Sequence, residues 1–429
     1  MKQHKISLFT AILLNLNIMI GSGILIGPGS MAKIAGNASY LAWIMVALIF
    51  LPIVLSTVQL SRMFPGAGGF YLYAKEGLNK TAGFASGWLY LVGYTFALVV
   101  EFMALRKTLT VMMGSNWLTE HTFVFDLLIV GGTTLLNLMS LKALGRMLNA
   151  LTITKIIPLI AGILVLPFVF KPSSLAISPQ ELSLVPYAMP MAIFGYFGFE
   201  YCASISHLIE DSKKNAPRAI LIGFLLTTLI YTLFNFSVLN IMGVQNLAEL
   251  GAPAFGDFVA WPIPMISVLL GFFISFASVL AIFAGANGMM NGNSILLHAM
   301  AEEKLFYFSP MVSRLSKRGR PWIATILQGA VAFFLVREIT NIDYAFSLCN
   351  LGIFCSFILP FISLLKLQWS ASKRSPFAIL TTILALIAVI GLAIYSFYNF
   401  GCTMHECVVG LFPLAAALIL GAMLLQRKY

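Results

Sequence analysis

Long apolar stretches, separated by short polar segments, dominate the pattern of hydrophobic and polar residues along this chain. An α-helix needs roughly 20 apolar residues to cross about 30 Å of hydrocarbon. The pattern therefore predicts an all-α membrane protein with about twelve transmembrane helices. We place these helices at 7–30, 40–61, 82–105, 122–140, 150–170, 187–209, 218–242, 262–297, 321–337, 342–366, 376–398 and 408–426.

Composition agrees with a chain that lies in a lipid bilayer. Of its 429 residues, 60% are hydrophobic and 10% are charged, whereas soluble domains carry about 25% charged residues. The first apolar run follows the basic residues Lys2 and Lys5 as it would in a signal peptide. That run is too long for a signal peptide and many similar runs follow it, so we interpret it as an uncleaved first helix.

The net charge of +11 is explained by membrane orientation rather than by a nucleic-acid partner. With the N-terminus inside, 21 of the 26 Lys and Arg residues fall on the inner side and 5 fall on the outer side. Segments that stay in the cytoplasm carry such an excess of positive charge. We therefore expect a multi-pass protein of the cell's inner (cytoplasmic) membrane with both termini in the cytoplasm.

Two of the predicted helices contain glycine clusters that favour a break. Helix one contains Gly21–Gly23 and Gly27–Gly29, and helix six contains Gly195–Gly198. Each glycine weakens a helix by about 1 kcal/mol, and unwound backbone at membrane depth is tolerated where it lines a cavity or is covered by protein. Breaks at corresponding places in two halves indicate a transporter binding site. The alternative is that small residues let the helices pack closely.

The positions of these clusters also predict the domain organisation. Breaks in helices one and six imply two repeats of five helices, and an odd number of helices per repeat forces the second copy to insert upside down. We assign residues 1–170 to the first repeat, residues 186–368 to the second, inverted repeat, and residues 369–429 to helices eleven and twelve.

Four segments of the chain resemble motifs of the amino acid–polyamine–organocation (APC) transporter superfamily. They are Asn17–Ile24, Pro65–Tyr73, Phe194–Arg218 and Met300–Phe306, and the similarity spans nearly the whole chain. The resemblance implies a LeuT-type fold, a 5+5 inverted repeat with broken helices 1 and 6, and secondary transport by proton-coupled uptake or exchange. Within the superfamily the chain looks nearest to bacterial arginine/agmatine exchangers and to neutral amino acid transporters.

The two predicted breaks suit the two ends of an amino acid. N–H groups freed at the first break lie at a helix N-terminus, which favours an anion such as a carboxylate. Carbonyl groups at the second break suit an ammonium group. In the exchangers that the chain resembles, an aromatic residue at the position of Phe194 covers the substrate, although any one of 35 Phe residues is a core residue by default. The candidate substrate-binding residues are Ile20, Gly21, Ser22, Gly23, Phe194, Gly195 and Gly198.

Glu200 and Lys155 are the candidates for proton coupling. An acid at mid-membrane is costly and usually functional, and Glu200 matches the glutamate of helix six in the family. The alternative is a structural glutamate that neighbouring hydroxyl groups satisfy. Lys155 resembles the lysine of helix five in proton-coupled members, where the ammonium takes the place of a sodium ion. The alternative is a lysine that snorkels to the cytoplasmic interface.

Four further residues are candidates for the pocket: Asn17, Tyr90, Glu101 and Met289. Glu101 would favour a cationic substrate if it faced the cavity, but we expect it to be a solvated charge at the outer rim. Asn17, like the asparagines of helix eight, either lines the path or joins helices by hydrogen bonds. Cys402 and Cys407 lie in the last outer loop, where a disulfide is geometrically feasible.

The motifs of most enzymes and of ATP-driven pumps are absent from the sequence. It has no Walker loop, HExxH or nucleophile elbow, and its five cysteines show no zinc spacing. We expect a transporter that is not an enzyme, that needs no cofactor or metal, and that uses the proton as coupling ion. Its partners would be an amino acid or amine and the bilayer, with a homodimer as an option. The alternatives are a cationic amino acid or amine antiporter, a channel or non-transporting sensor, and a membrane-embedded enzyme.

Overall fold

The structure is a computed structural model that describes residues 5–113, 120–139, 141–170, 176–259, 264–372 and 374–398. Within these residues the chain is helical, and extended pairing is confined to two single backbone bridges. The helices are α1 (Leu8–Met19), α2 (Ser22–Ala35), α3 (Leu41–Met63), α4 (Phe70–Gly77), α5 (Lys80–Met113), α6 (Thr122–Asn137), α7 (Leu141–Val169), α8 (Pro179–Tyr196), α9 (Tyr201–Ser204), α10 (Ser212–Leu250), α11 (Pro264–Glu302), α12 (Ser309–Val312), α13 (Trp322–Glu338), α14 (Ile342–Ser370) and α15 (Pro376–Tyr398).

Several of these helices have the length and composition of membrane spans. In the part of the chain that the structure describes, seven helical segments are long and apolar enough to cross a membrane, with α8 and α9 counted together, or eight if the bent pair α1 and α2 is one span. The expected all-α membrane class is therefore confirmed. The predicted helix at 408–426 and the cysteines Cys402 and Cys407 lie outside the described residues, and the count of twelve spans stays a prediction.

The observed helices extend beyond their predicted ends. Helix α5 continues to Met113, and α10 runs from Ser212 to Leu250 with a kink at Gly243, whose φ is 77°. The predictions followed apolar composition, but a helix that has already formed adds each further residue at little cost. Polar residues at the membrane boundary therefore continue the helix. The extension leaves Glu101 well inside α5 rather than near its end.

Helix α5 occupies the centre of the bundle. Of its apolar window, 83% is buried, whereas α7 buries 28% of the corresponding window. Helix α5 packs against α14, α11 and α4, while α2 packs against α8 and α10. Helix α1 contacts α10, α11 and α7. The two predicted breaks therefore lie among the central helices rather than at the lipid-facing surface.

The glycine-rich motif at Pro65–Gly69 joins the loop before α4 to the end of broken helix six. The Gly68 N–H donates to the carbonyl of Ser204 at 3.1 Å, and the Gly66 N–H donates to Ser206 Oγ at 2.8 Å. Gly68 has a φ of 97°, in the left-handed region that favours glycine. The motif thus has a structural role, because it holds the connection between α3 and α4 against the segment that follows α9.

Candidate functional site

Helix one is interrupted where its glycines predict. Helix α1 ends at Met19, α2 begins at Ser22, and the two are bent by 42°. Gly21 between them has φ −136° and ψ −141°, which is not helical. The break leaves carbonyl groups at the end of α1 and N–H groups at the start of α2 without partners in their own helix.

Helix six is interrupted as well. Helix α8 ends at Tyr196 and α9 begins at Tyr201. Between them Gly198 has a φ of 101°, a conformation that side chains rarely adopt. A Cβ at Gly198 would overlap the side chain of Ile18 in α1. Both breaks predicted from the glycine clusters are therefore present, and Gly198 is required for the second.

Replacing Gly198 by alanine is expected to destabilise the folded protein by about 2 kcal/mol or more, since a strained φ and an overpacked contact add together. The apparent unfolding temperature of the purified protein in detergent measures this loss. Gly391→Ala is the matched control, because Gly391 lies in α15 with open space around it. Equal unfolding temperatures for the two variants would contradict the assigned role of Gly198.

The two breaks are in direct contact. A Cβ on Gly23 would lie 2.7 Å from the Cα of Gly195, so at this point the backbones of α2 and α8 touch. On its other side Gly195 packs against Trp43, where a Cβ would lie 2.7 Å from Cζ3 of the indole ring. The glycines therefore both interrupt the helices and allow close packing. The broken helices and the close packing, given above as alternatives, are therefore both present.

Lys155 satisfies the carbonyl end of the first break. Its ammonium donates to the carbonyls of Asn17 and Ile20 at 2.5 Å each, and the side chain is 1% exposed. The Tyr231 hydroxyl donates to the carbonyl of Met19 beside them. The alternative of a snorkelling lysine is therefore wrong, because the carbonyls that the break leaves free hold the ammonium inside the bundle. The inner-side excess of positive charge survives the removal of Lys155 from the count.

Glu101 satisfies the N–H end of the same break. Its carboxylate accepts the Ser22 N–H at 3.2 Å from each oxygen and the Ser22 hydroxyl at 3.0 Å. Glu101 is 1% exposed. Our expectation of a solvated charge at the outer rim is wrong, because α5 extends well past this residue and passes through the centre of the bundle. The partial positive charge of a helix N-terminus favours a carboxylate there.

Glu200 lies at the second break and is completely buried. The hydroxyls of Tyr94 and Tyr90 both donate to its Oε1, that of Tyr90 at 3.1 Å, and the Gly198 N–H donates to its Oε2 at 3.2 Å. The structure therefore brings Tyr90 into the site. The carboxylate of Glu200 has hydrogen-bond donors on both of its oxygens, which is the environment that the alternative of a structural glutamate describes. Sequence reasoning missed Tyr94, although two tyrosines at i and i+4 share one face of a helix.

Asn15 connects the two broken helices and was also missed. Its side-chain amide donates to the carbonyl of Phe199 at 2.8 Å and accepts from the N–H of Cys202 at 3.0 Å. Asn17, which we predicted for the pocket, accepts from the Thr152 hydroxyl at 2.9 Å. Both side chains join helices, which is the common outcome for polar residues in membrane bundles. Asn15 could have been predicted in the same way as Asn17, because each is a polar residue within an apolar run.

Phe194 and Met289 lie beside the breaks. Phe194 is 3% exposed, and its ring packs edge-on against Phe346 with centroids 4.7 Å apart. Met289 and Tyr90 line a cavity of about 10 Å³ on the side of Glu200, which is space for about one water molecule. Small-molecule sites usually measure roughly 300–1,000 Å³. The cavity beside the breaks is thus far smaller than an amino acid site.

Arg320 is a further buried charge that sequence reasoning placed in a cytoplasmic loop. It is 2% exposed, and its guanidinium donates to the carbonyl of Asn137 at 2.9 Å and to Asn291 Oδ1 at 2.6 Å. Asn291 in turn donates to the Tyr201 hydroxyl at 2.8 Å. This chain of hydrogen bonds ties α6, α11 and α9 to the start of α13. A buried guanidinium without such hydrogen bonds would be costly, because it is shielded from water.

Within the described residues, no group of three or more His, Cys, Asp or Glu side chains has an arrangement that could hold a metal ion. The charged groups of the site are instead single residues that hydrogen-bond to backbone. Lys155 and Glu101 lie at opposite ends of the first break, and Glu200 lies at the second. Each of these three charged groups is held by hydrogen bonds at one end of a break.

Comparison with known proteins agrees with this geometry. The model of the amino acid permease family matches residues 6–422. The serine/threonine exchanger SteT of Bacillus subtilis is 26% identical over 417 residues, which cover 94% of this chain and 91% of the relative. The aspartate-proton symporter of the same organism is 25% identical over 388 residues, covering 86% and 74%. The chain therefore belongs to the amino acid permease family of the APC superfamily, whose members are multi-pass membrane transporters and not enzymes.

Proposed function

We propose that this chain is a secondary active transporter that carries amino acids across the cytoplasmic membrane by alternating access. The architecture is a LeuT-type fold of twelve spans, with inverted repeats at 1–170 and 186–368, two further helices at 369–429, and both termini in the cytoplasm. The observation that carries the proposal is the contact between two interrupted helices at Gly23 and Gly195. Interrupted helices that meet mid-membrane are how such transporters build a substrate site.

The substrate binds between these breaks. Its carboxylate takes the N–H groups around Gly21 and Ser22, and its ammonium binds near Gly195 and Gly198, with Phe194 as cover. Because the cavity beside the breaks measures about 10 Å³, an amino acid can load only when α2 and α8 separate. A protein that alternates between such closed and open states moves substrate without ever opening a continuous pore.

Proton coupling operates through Lys155 and Glu200. The charged ammonium of Lys155 holds the last carbonyls of α1, so loss of its proton weakens the link between α7 and the first break. A proton on Glu200 competes with the two tyrosine hydroxyls that donate to this carboxylate. Each change alters the hydrogen bonding of one break, which is how a proton biases the equilibrium between states.

The relatives suggest small polar substrates. Their names specify serine and threonine, aspartate with a proton, and, for the glutamate/serine transporter AimA of Bacillus subtilis, glutamate and serine. AimA is 25% identical over 271 residues, which cover 57% of this chain and 49% of the relative. We place L-serine and L-threonine first and L-aspartate second. A cationic amino acid or amine antiporter is the second candidate, favoured by the buried carboxylate of Glu101 at the break.

Counterflow in proteoliposomes tests the proposal. The full-length protein is reconstituted and assayed with each of the twenty amino acids, agmatine and putrescine, with protein-free vesicles as control. We expect saturable exchange of at least one amino acid, and the same compound should raise the unfolding temperature because a ligand that binds the folded state stabilises it. Absence of flux for the entire panel would overturn the proposal. Flux of agmatine and putrescine without flux of amino acids would favour the second candidate.

A further inference from the structure

Glu101 occupies the place that a substrate carboxylate needs. The N-terminus of α2 presents the Ser22 N–H and hydroxyl, and all of the hydrogen bonds described there go to the Glu101 carboxylate. The approach is close, since a Cβ on Gly21 would lie 2.6 Å from Glu101 Oε1. A glycine at position 21 is therefore needed for Glu101 itself to reach the break. The protein binds its own carboxylate where the proposed function places that of the substrate.

Two carboxylates cannot share this helix N-terminus while both are ionised. At hydrogen-bond distance from the same N–H group they would lie about 3 to 4 Å apart in a buried site, where like charges repel strongly. Pairs of acids in such sites share a proton or exclude one another. A substrate carboxylate that takes the Ser22 N–H must therefore displace Glu101 or neutralise it.

The charged and titratable groups that face Glu101 do not offer it a new partner. Lys155 on α7 interacts with it electrostatically, but its ammonium is already held by two carbonyls at 2.5 Å. Tyr231 on α10 donates its hydroxyl to the carbonyl of Met19, and Cys349 on α14 is a buried thiol. A displaced and still ionised Glu101 would thus remain buried without a hydrogen-bond donor of its own, which is costly.

We infer that Glu101 is an internal stand-in for the substrate carboxylate, and that an amino acid loads by taking its place on Ser22 while Glu101 takes up one proton from the surrounding water. This inference rests on the proposed function. The proton balance is simple: one proton binds Glu101 as the zwitterion enters, and the same proton leaves when the zwitterion leaves and Glu101 returns to Ser22. The substrate class follows, namely molecules with a free carboxylate rather than plain amines.

Calorimetric titration measures this proton directly. The amino acid that gives the strongest counterflow is titrated into the purified full-length protein in two buffers of different ionisation enthalpy, from about pH 6 to about pH 9, which spans both charge states of a buried acid. We expect proton uptake that approaches one per bound amino acid where Glu101 is ionised. Glu101→Gln should take up one proton fewer per bound amino acid than the wild type in that pH range, whatever Lys155 and Glu200 contribute. Glu249→Gln, which changes an exposed acid of α10, should keep the wild-type value.

The carboxyl amide of the same amino acid tests the wild-type protein without a mutation. Lacking a carboxylate, it should bind at least tenfold more weakly and with about one proton fewer taken up than the amino acid, so the test survives even if Glu101→Gln does not fold. Zero proton uptake by the wild-type protein at every pH would overturn the inference, as would an uptake in Glu101→Gln equal to that of the wild type, or equal affinity for acid and amide. Because these titrations use a compound already shown to be transported, such failures would leave the proposed function standing.

Discussion

Gly23→Ala is expected to lower amino acid counterflow about tenfold or more, since overpacking of a tight contact costs about 1–3 kcal/mol and about 1.4 kcal/mol is a factor of ten. The added methyl group would lie 2.7 Å from the Cα of Gly195. Backbone cannot rotate away as a flexible side chain can, so α2 and α8 must move apart. The closed state is then disfavoured relative to open states, and transport requires both.

Gly27→Ala is the matched control for this substitution. It adds the same methyl group one turn further along α2, where the nearest atoms belong to Trp43 and Met31 at 3.6 to 3.8 Å, ordinary contact distances. We expect its counterflow to remain within about twofold of the wild type, because such contacts need no rearrangement. Equal losses in the two variants, or none in either, would show that the contact between the breaks does not control transport.

Lys155→Met is expected to abolish uptake driven by a pH gradient and to destabilise the protein by about 3 kcal/mol, because two buried carbonyls lose charged hydrogen bonds. Methionine retains most of the apolar length of the lysine side chain, so the change isolates the ammonium. The carbonyls of Asn17 and Ile20 would remain buried without a donor. Accumulation of the transported amino acid against its gradient, with the outside acidic, measures the first effect, and thermal unfolding measures the second.

Lys33→Met is the matched control, because it makes the same substitution at an exposed position near the end of α2. Both accumulation and unfolding temperature should stay close to the wild-type values. If Lys155→Met retains gradient-driven accumulation while Lys33→Met behaves as expected, Lys155 has a structural role at the first break and coupling lies elsewhere. Glu101 would then be the next residue to test.

The sequence was informative where a signal is local. Glycine clusters predict broken helices because the cost of glycine depends on its own backbone, and both breaks are present at Gly21 and Gly198. Lys155 and Glu200 stand out as charges in apolar runs, and both are buried, while their roles in proton coupling stay a prediction. The resemblance of four motifs to the APC superfamily is confirmed by a family match over residues 6–422.

Glu101 shows where sequence reasoning failed. Whether Glu101 lies at the rim or in the core depends on how far α5 extends and on which face of α5 packs against α2. Neither property can be predicted from the residues that surround Glu101 in the sequence. Asn15, Tyr94 and Arg320 were missed for a related reason, since each has its partners on helices remote in sequence. Asn15, for example, hydrogen-bonds to the carbonyl of Phe199, which lies 184 residues further along the chain.

The sequence alone therefore determined that this chain is a helical membrane protein with two interrupted helices and buried charges near them, because apolar length, glycine and charge act through the solvation and backbone of single segments. The tertiary structure decided how those interruptions are satisfied. Lys155 takes the carbonyl end of the first break and Glu101 takes its N–H end. Hydrogen-bond partners between helices depend on packing angle, depth and rotation, and these are properties of the assembled bundle rather than of any one helix.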